Sequence, residues 1–271
     1  RREVHLLRRL DHPNIVKIFE FAYDSQQMVI VLERLHGGDC GGLLRRHGPL
    51  AEAAAARLLR QVLSAAAYCH AQRIVHRDIK PENVMVVRKE PRSWQFQAPL
   101  DCKVIDFGLA ALDGAARRGD ISGTPAYMAP EVVDRTQVPG PKADVWSVGV
   151  TAHRLLTGEL PFGEPGDYEG GAEELFGAVR RFQGVDFEDE CWARCRGPAA
   201  RSFVRALMCR SADSRPSAPE ALREPLVDQR GAGGARLSRR TLGSLEGFAR
   251  APCAVQDCLL LMASRLGEER L

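Results

Sequence analysis

The segment IVHRDIKPENVMV, residues 74–86, constrains this chain most, because one short polar loop between two apolar runs carries three chemically different groups. Asp78 supplies a carboxylate, Lys80 a cation two residues later, and Asn83 a side-chain amide five residues after the aspartate. Transfer of a phosphoryl group requires a carboxylate that orients the attacking hydroxyl, a cation beside the moving group, and hard oxygen ligands for Mg²⁺. The loop supplies all of these groups from one stretch of sequence.

A second segment, VIDFGLA at residues 104–110, adds a further oxygen ligand. Asp106 follows an apolar, strand-like run and precedes Gly108, which allows the chain to turn sharply. An aspartate at such a point can chelate a Mg²⁺ ion that bridges phosphate groups. Either segment alone could arise by chance, so the interpretation depends on the order of the other motifs.

The composition is that of an ordinary globular protein, with 45% hydrophobic and 27% charged residues among 271. A formal net charge of +3 is too small to indicate a nucleic-acid partner, and no apolar run reaches the length of a membrane span. The eight cysteines are scattered without a CxxC pair, which favours free thiols in a reducing compartment. These features predict a cytoplasmic location, with the nucleus as the alternative.

Hydrophobic periodicity divides the chain into helices and short strands. Helices are predicted at residues 1–11 and 52–72 and through most of the chain after residue 143. Strands are predicted at Ile15–Phe21, Met28–Glu33, Val84–Val87 and Lys103–Ile105. The Gly- and Arg-rich segment 228–240 is predicted to be a linker, and an amphipathic stretch follows it.

Five motifs in order make the sequence resemble the eukaryotic protein kinases over about residues 1–228. After HRDIKPEN and DFG come GTPAYMAPE at 123–131 and DVWSVGV at 144–150. The fifth feature is Arg215, which resembles the kinase arginine that pairs with the glutamate of Ala-Pro-Glu, here Glu131. The resemblance implies that Asp144 lies on a buried helix that anchors the catalytic loop.

The fold implied by this resemblance is α+β and bilobal, of the protein-kinase type. It places a partial small lobe at residues 1–35, a mainly helical large lobe at 36–228, and a basic linker with an amphipathic helix at 229–271.

The kinase resemblance also implies ATP and Mg²⁺ as cofactors and gives roles to individual residues. Asp78 would orient the acceptor hydroxyl, Lys80 would stabilise the phosphoryl group, and Asn83 and Asp106 would hold Mg²⁺. Lys80 together with Thr124 resembles the serine/threonine kinases rather than the tyrosine kinases. The other positions matched to the nucleotide site, its hinge, the adenine pocket and the DFG motif are Glu3, Glu33, Leu35, Met85, Phe107 and Gly108.

Two parts of the kinase pattern do not occur in this sequence: a G-x-G-x-x-G loop over the phosphates and a lysine of the V-A-I-K type. In the family, that lysine pairs with the helix glutamate that Glu3 resembles. We therefore expect that the kinase domain in this chain is cut just before the helix that carries Glu3, and that the chain alone is inactive. Asp78, Asn83 and Asp106 are all present, which argues against a diverged kinase. A non-catalytic, kinase-like scaffold is the alternative.

The activation segment suggests how such a kinase would be switched on. In many kinases a phosphorylated threonine, four residues before the Thr of Gly-Thr-Pro, pairs with the Arg of His-Arg-Asp. Asp120 stands at that position, so a permanent pair with Arg77 would remove the need for phosphorylation. A solvated aspartate is the alternative.

Two acidic residues indicate the kind of substrate. Asp39 and Glu82 resemble kinase residues that receive an arginine lying before the acceptor Ser/Thr, although Glu82 could be purely structural. The predicted partners are therefore proteins with basic residues before the phosphorylated Ser/Thr.

Residues 237–266 combine apolar positions at helical spacing with nearby arginines, the pattern of a calmodulin target or autoinhibitory helix. Their layout resembles the junction segment of the calcium-dependent protein kinases, in which this helix blocks the cleft until a calmodulin-like domain removes it. No D-x-[DN]-x-[DN]-G loop occurs in this sequence, so we expect no Ca²⁺ site within it. The alternatives are a calmodulin-binding kinase without its own calcium domain and a helix of ordinary structure.

Overall fold

The computed structural model describes residues 6–23, 28–88, 100–115, 119–193, 195 and 197–228. The chain divides into two units, Arg1–Asp228 and Gln229–Leu271. Glu3 and the predicted regulatory segment 237–266 lie outside the described residues. All elements named below belong to the first unit.

The strands of the described residues are short and form three small antiparallel sheets. They are β1 (Ile18–Tyr23), β2 (Met28–Leu32), β3 (Gly38–Asp39), β4 (Ile74–Val75), β5 (Val84–Val86), β6 (Cys102–Val104) and β7 (Ala111–Leu112). β1 pairs with β2, β5 lies between β3 and β6, and β4 pairs with β7. In the middle sheet Met85 stands opposite both Asp39 and Lys103, so this sheet joins the segment after β2 to the segment before the DFG motif.

The helices of the described residues contain more residues than the strands. They are α1 (Cys40–His47), α2 (Glu52–Ala71), α3 (Pro130–Val133), α4 (Pro141–Thr157), α5 (Ala172–Arg181), α6 (Pro198–Leu207) and α7 (Ala218–Ala221). Single 3₁₀ turns at Pro81–Asn83 and Pro125–Tyr127 follow Lys80 and Thr124, two of the predicted catalytic residues. No helix in the described ranges has both the length and the apolar character needed to cross a membrane.

Helix α4 is the centre of the core, because nearly all of its side chains are buried. It begins with a proline at its first position and ends at Gly158, whose φ of 90° lies in the left-handed region that favours glycine. Gly149 lets α6 pack closely, since a Cβ there would lie 2.8 Å from the Met208 side chain. The close packing fixes the axis of α4, which carries Asp144 near its start.

The predicted elements agree with the observed ones except near the N-terminus. The first strand begins at Ile18 rather than Ile15, because Ile15 instead forms an isolated parallel bridge with Val104. Leu7 is the last helical residue before a turn, so the predicted helix ends earlier than residue 11.

Candidate active site

The loop that contains the predicted catalytic residues is held at both ends by strands. It begins after β4, which pairs with β7, and it ends at β5, which pairs with β6. Within the loop Arg77 has a φ of 70°, a conformation that a non-glycine residue adopts only when its surroundings hold it there. Asp144 supplies that restraint, because its two carboxylate oxygens accept the backbone N–H groups of His76 at 2.9 Å and Arg77 at 2.8 Å.

Asp144 itself is buried and positioned by a histidine. His70 on α2 lies 2.8 Å from the carboxylate through Nε2. Burial would raise the pKa of Asp144, but the hydrogen bond and charge of His70, together with His76, lower it below its ordinary value. The ionised carboxylate therefore anchors the loop from α4, at the position that the sequence predicts for such an anchor.

The Asp78 carboxylate is the centre of the site and brings four predicted catalytic residues together. One oxygen accepts the Lys80 ammonium at 2.7 Å and the Asn83 amide at 3.0 Å. The other accepts the backbone N–H of Thr124 at 2.9 Å and its hydroxyl at 2.7 Å. Lys80 also donates to the Thr124 hydroxyl at 2.6 Å. The loop and the activation segment thus share one hydrogen-bond network.

This network keeps Asp78 charged. Burial would raise the pKa of its carboxyl, but hydrogen bonds from Lys80 and Thr124 lower it below its ordinary value. Gly123 makes the approach of Thr124 possible, since its φ is 120° and a Cβ there would lie 2.5 Å from the Arg77 carbonyl oxygen. At neutral pH the carboxylate is therefore ionised and able to accept a proton.

Two hard oxygen donors lie on neighbouring strand ends, as a Mg²⁺ site requires. The backbone N–H of Ile105 donates to the Asn83 carbonyl at 2.9 Å, which sets Asp106 beside Asn83. The Asn83 amide nitrogen is used by Asp78, and its side-chain oxygen receives no hydrogen bond from the described residues. Asp106 has a φ of 61° and accepts the backbone N–H of Gly108 at 3.1 Å with one oxygen. A carboxylate and an amide oxygen fit Mg²⁺.

The predicted adenine-binding positions lie along the segment that follows β2. The Glu33 side chain pairs with Lys103 at 2.6 Å and accepts the backbone N–H of Lys17 at 2.6 Å. Leu35 and Met85 are half-buried, and Met85 stands opposite Lys103 in the sheet. The Glu33 side chain is therefore structural, which leaves the backbone of this segment for the predicted nucleotide contact.

Arg77 and Asp120 form the ion pair that the sequence predicts, with Nη1 3.4 Å from the carboxylate. The Arg77 side chain is 9% exposed and that of Asp120 is 48% exposed. Arg77 also donates through Nε to the Leu109 carbonyl at 2.6 Å. A single arginine thereby joins the catalytic loop, the segment after DFG and the activation segment.

Phe107 of the DFG motif is fully buried against the ring of His76, with ring centroids 4.7 Å apart. His76 also reaches the Ile105 carbonyl at 3.1 Å through Nε2. These contacts hold the DFG motif against the catalytic loop.

Glu131 and Arg215 form a bidentate pair deep in the large lobe. The two guanidinium nitrogens donate to the two carboxylate oxygens at 2.8 and 3.0 Å. The guanidinium also lies over the ring of Trp146, 5.0 Å from its centroid. This pair links the end of the activation segment to the C-terminal helices.

The two predicted substrate-selecting residues are both partly used within the protein. Asp39 caps α1 by accepting the backbone N–H of Gly42 at 2.6 Å. Glu82 lies 3.5 Å from Arg45 and is packed against α1, since a Cβ on Gly41 would lie 2.4 Å from its Oε1. Each carboxylate therefore has only part of its capacity left for a substrate.

Sequence reasoning missed three groups near the site: Tyr127, Arg154 and Glu164. Arg154 donates to the Tyr127 hydroxyl at 3.3 Å and pairs with Glu164 at 3.0 Å. The only signal in the sequence was an arginine in the mostly apolar second half of helix α4.

Comparison with known proteins agrees with this geometry. The protein kinase domain family matches residues 1–227, and the chain therefore belongs to the protein kinase family. This confirms the predicted α+β kinase-type fold.

The relatives place the chain near the calcium- and calmodulin-dependent serine/threonine kinases. A calcium/calmodulin-dependent protein kinase type 1 of Macrobrachium nipponense is 35% identical over 226 residues, 83% of this chain and 61% of that protein. CDPK-related kinase 7 of Arabidopsis thaliana is 38% identical over 228 residues, 83% of this chain and 37% of that protein. Calcium-dependent protein kinase 7 of Oryza sativa subsp. japonica is 31% identical over 274 residues, 100% of this chain and 48% of that protein. The chain thus spans only part of the length of each relative.

Proposed function

We propose that the protein containing this chain transfers the γ-phosphoryl group of Mg-ATP to serine and threonine residues of proteins. The observation that carries this proposal is the Asp78 carboxylate, which binds Lys80, Asn83 and Thr124 at 2.7 to 3.0 Å. Bound Mg-ATP would supply the phosphoryl group, and Asn83 and Asp106 are the residues that would hold the metal.

The residues of the chain would act in distinct ways. Asp78 would orient the substrate hydroxyl and accept its proton, because its carboxylate is ionised. Lys80 would place a positive charge beside the transferred group, since its ammonium already lies between Asp78 and Thr124. Asp144 would keep the loop in position through two backbone hydrogen bonds.

The direct test is phosphate transfer from labelled Mg-ATP to peptides that differ only in carrying serine, threonine or tyrosine. We expect label on serine and threonine when the full-length protein is used. Residues 1–271 alone are expected to show negligible transfer, because the sequence contains no lysine of the V-A-I-K type. A full-length protein that binds its partners but transfers no phosphate would support the scaffold alternative.

We propose further that Asp120 replaces an activating phosphate. The Arg77–Asp120 pair supports this, since Arg77 also binds the Leu109 carbonyl and so couples the two loops. One fixed charge supplies less attraction than a phosphate, so the effect of the pair is expected to be moderate.

Replacing Asp120 with asparagine should lower kcat about two- to fivefold, because a half-exposed ion pair contributes at most about 1 kcal/mol. Steady-state kinetics of the full-length protein would measure this effect. Asp120→Glu is the matched control, since it keeps the charge and should keep most of the activity. Equal kcat for wild type and Asp120→Asn would mean that the aspartate is only solvated.

Segment 237–266 and the similar proteins together support the proposal that calcium controls the full-length protein. The relatives include a calcium/calmodulin-dependent and a calcium-dependent protein kinase, and the match to the rice protein extends over the whole chain. We propose that segment 237–266 binds calmodulin or a calmodulin-like domain, and that the protein acts in the cytoplasm or nucleus.

The calcium proposal is tested by assaying the full-length protein with EGTA, with Ca²⁺, and with Ca²⁺ plus calmodulin. Activation by Ca²⁺ alone would indicate a calmodulin-like domain, and activation only with calmodulin would indicate the calmodulin-binding alternative. Deletion of residues 237–266 is expected to make activity independent of Ca²⁺. Activity that is equal in all three conditions would refute calcium control.

A further inference from the structure

A group of four charged or polar side chains borders the site without belonging to the catalytic network. We call it the Arg154 cluster: Glu82, Tyr127, Arg154 and Glu164. Arg154 is on α4, Tyr127 ends the 3₁₀ turn after Thr124, and Glu82 lies in the turn after Lys80. Because Lys80 and Thr124 contact each other at 2.6 Å and both contact Asp78, both turns begin beside the carboxylate that would receive the acceptor hydroxyl.

The arginine is largely enclosed by this cluster. Its side chain is 13% exposed, whereas that of Glu164 is 51% exposed. One guanidinium nitrogen donates to the Tyr127 hydroxyl at 3.3 Å and another lies 3.0 Å from the Glu164 carboxylate. Its Nε is buried without a hydrogen-bond partner among the described residues. The arginine therefore retains an unused donor.

Glu82, whose charge acts on Arg154, has an unused acceptor. Its Oε2 is buried, and no described residue donates a hydrogen bond to it. Burial and the charge of Glu82 raise the pKa of Tyr127, while the charge of Arg154 acts in the opposite direction. The negative charge of Glu82 and the positive charge of Arg154 therefore have opposite effects on the pKa of the same Tyr127 hydroxyl.

Without Arg154, the cluster would be a site for a cation. Glu82 and Glu164 would then present two carboxylates beside the acceptor position, and only Arg45, which is mostly exposed, would offset Glu82. An arginine side chain of a substrate has the charge and the forked donors that such a site selects. In this protein, Arg154 of helix α4 already places a guanidinium group beside these carboxylates.

We propose that Arg154 is a specificity-determining residue that occupies, from within the protein, the place of a basic substrate side chain. This inference rests on the proposed kinase function and refines its substrate class. Substrate arginines must compete with Arg154, which pairs directly with Glu164 and interacts with Glu82 through its charge. The enzyme thus accepts neutral residues at this subsite, and its preference for basic residues depends mainly on Asp39.

The test compares peptides that carry arginine or alanine at each position before the acceptor serine, using the full-length protein. Arg154→Leu should raise the arginine-to-alanine ratio of kcat/KM about tenfold at one peptide position. The reason is that the substitution makes one charged hydrogen-bonding group of the cluster available to the substrate. The change should appear in KM and leave kcat nearly unaltered. Arg154→Lys should give a ratio between those of wild type and Arg154→Leu, because the charge remains but the forked donors are lost.

A second variant, at a half-exposed position, is expected to change the arginine-to-alanine ratio in the opposite direction. Glu164→Gln removes an exposed partner of Arg154, so the guanidinium is freed to turn toward Glu82. The arginine-to-alanine ratio should then fall about two- to threefold. Arg201→Leu is the matched control, since Arg201 also pairs with a glutamate and also has a buried Nε without a described partner, but lies on α6.

The outcomes separate this inference from the proposed function. Binding of fluorescent peptides, followed by anisotropy, gives the same arginine-to-alanine comparison without phosphate transfer. A protein that shows the expected order of binding but transfers no phosphate would refute only the proposed function. Ratios that do not change in Arg154→Leu and Glu164→Gln, or that change equally in Arg201→Leu, would overturn the role of Arg154.

Discussion

Replacing Asp78 with asparagine is expected to lower kcat roughly a hundredfold to ten-thousandfold, the range for loss of a general base. The amide keeps the shape of the side chain but cannot accept the proton of the acceptor hydroxyl. It also presents no negative charge to Lys80, whose ammonium lies 2.7 Å from the carboxylate in the wild type. The measurement is steady-state kinetics of the full-length protein with peptide and ATP varied in turn.

The KM for ATP separates this role from a general loss of structure. Asn83 and Asp106 remain in Asp78→Asn, so the KM for ATP should change less than about threefold. Asp134→Asn is the control, because its carboxylate pairs with Arg180 and Arg210 away from the site. A variant Asp78→Asn that keeps more than about a tenth of wild-type kcat would contradict the assignment of a general base.

Much of this fold could be predicted from the sequence because its signals are local. The apolar pattern of 52–72 predicted helix α2 within one residue of its observed bounds, and the motif DVWSVGV lies within helix α4 as expected. The predicted strands around the catalytic loop also correspond to β5 and β6 within one residue at each end. The N-terminal bounds were less accurate because Ile15 is fixed by a bridge to Val104, a contact across 89 residues that no local pattern indicates.

The same distinction between local signals and contacts of distant segments applies to the candidate site. Asp78, Lys80 and Asn83 could be predicted because one loop carries them in a recognisable order. The pair of Arg77 with Asp120 could also be predicted, since the resemblance supplied both positions. Arg154 could not, because its partners come from distant segments and only the packed helix α4 brings them together. The use of Asp39 as a helix cap was likewise visible only in the structure.

The largest effect on stability is expected at Arg215, whose substitution by methionine should lower the free energy of unfolding by about 3–5 kcal/mol. Arg215 is fully buried and donates both to Glu131 and to the carbonyls of Cys209, Lys142 and Arg210. Methionine fills the space over Trp146 but leaves the Glu131 carboxylate buried without its partner. Urea denaturation at neutral pH measures the loss.

A double-mutant cycle shows how much of that loss belongs to the ion pair. Glu131→Leu with Arg215→Met removes both charges, so it should cost less than the sum of the single substitutions. It should still be less stable than the wild type, because the three carbonyls lose their guanidinium donors. Arg201→Met is the control: its partner Glu188 is 91% exposed, and the cost should be below about 1 kcal/mol. Similar costs at Arg201 and Arg215 would show that the Glu131–Arg215 pair does not stabilise the large lobe.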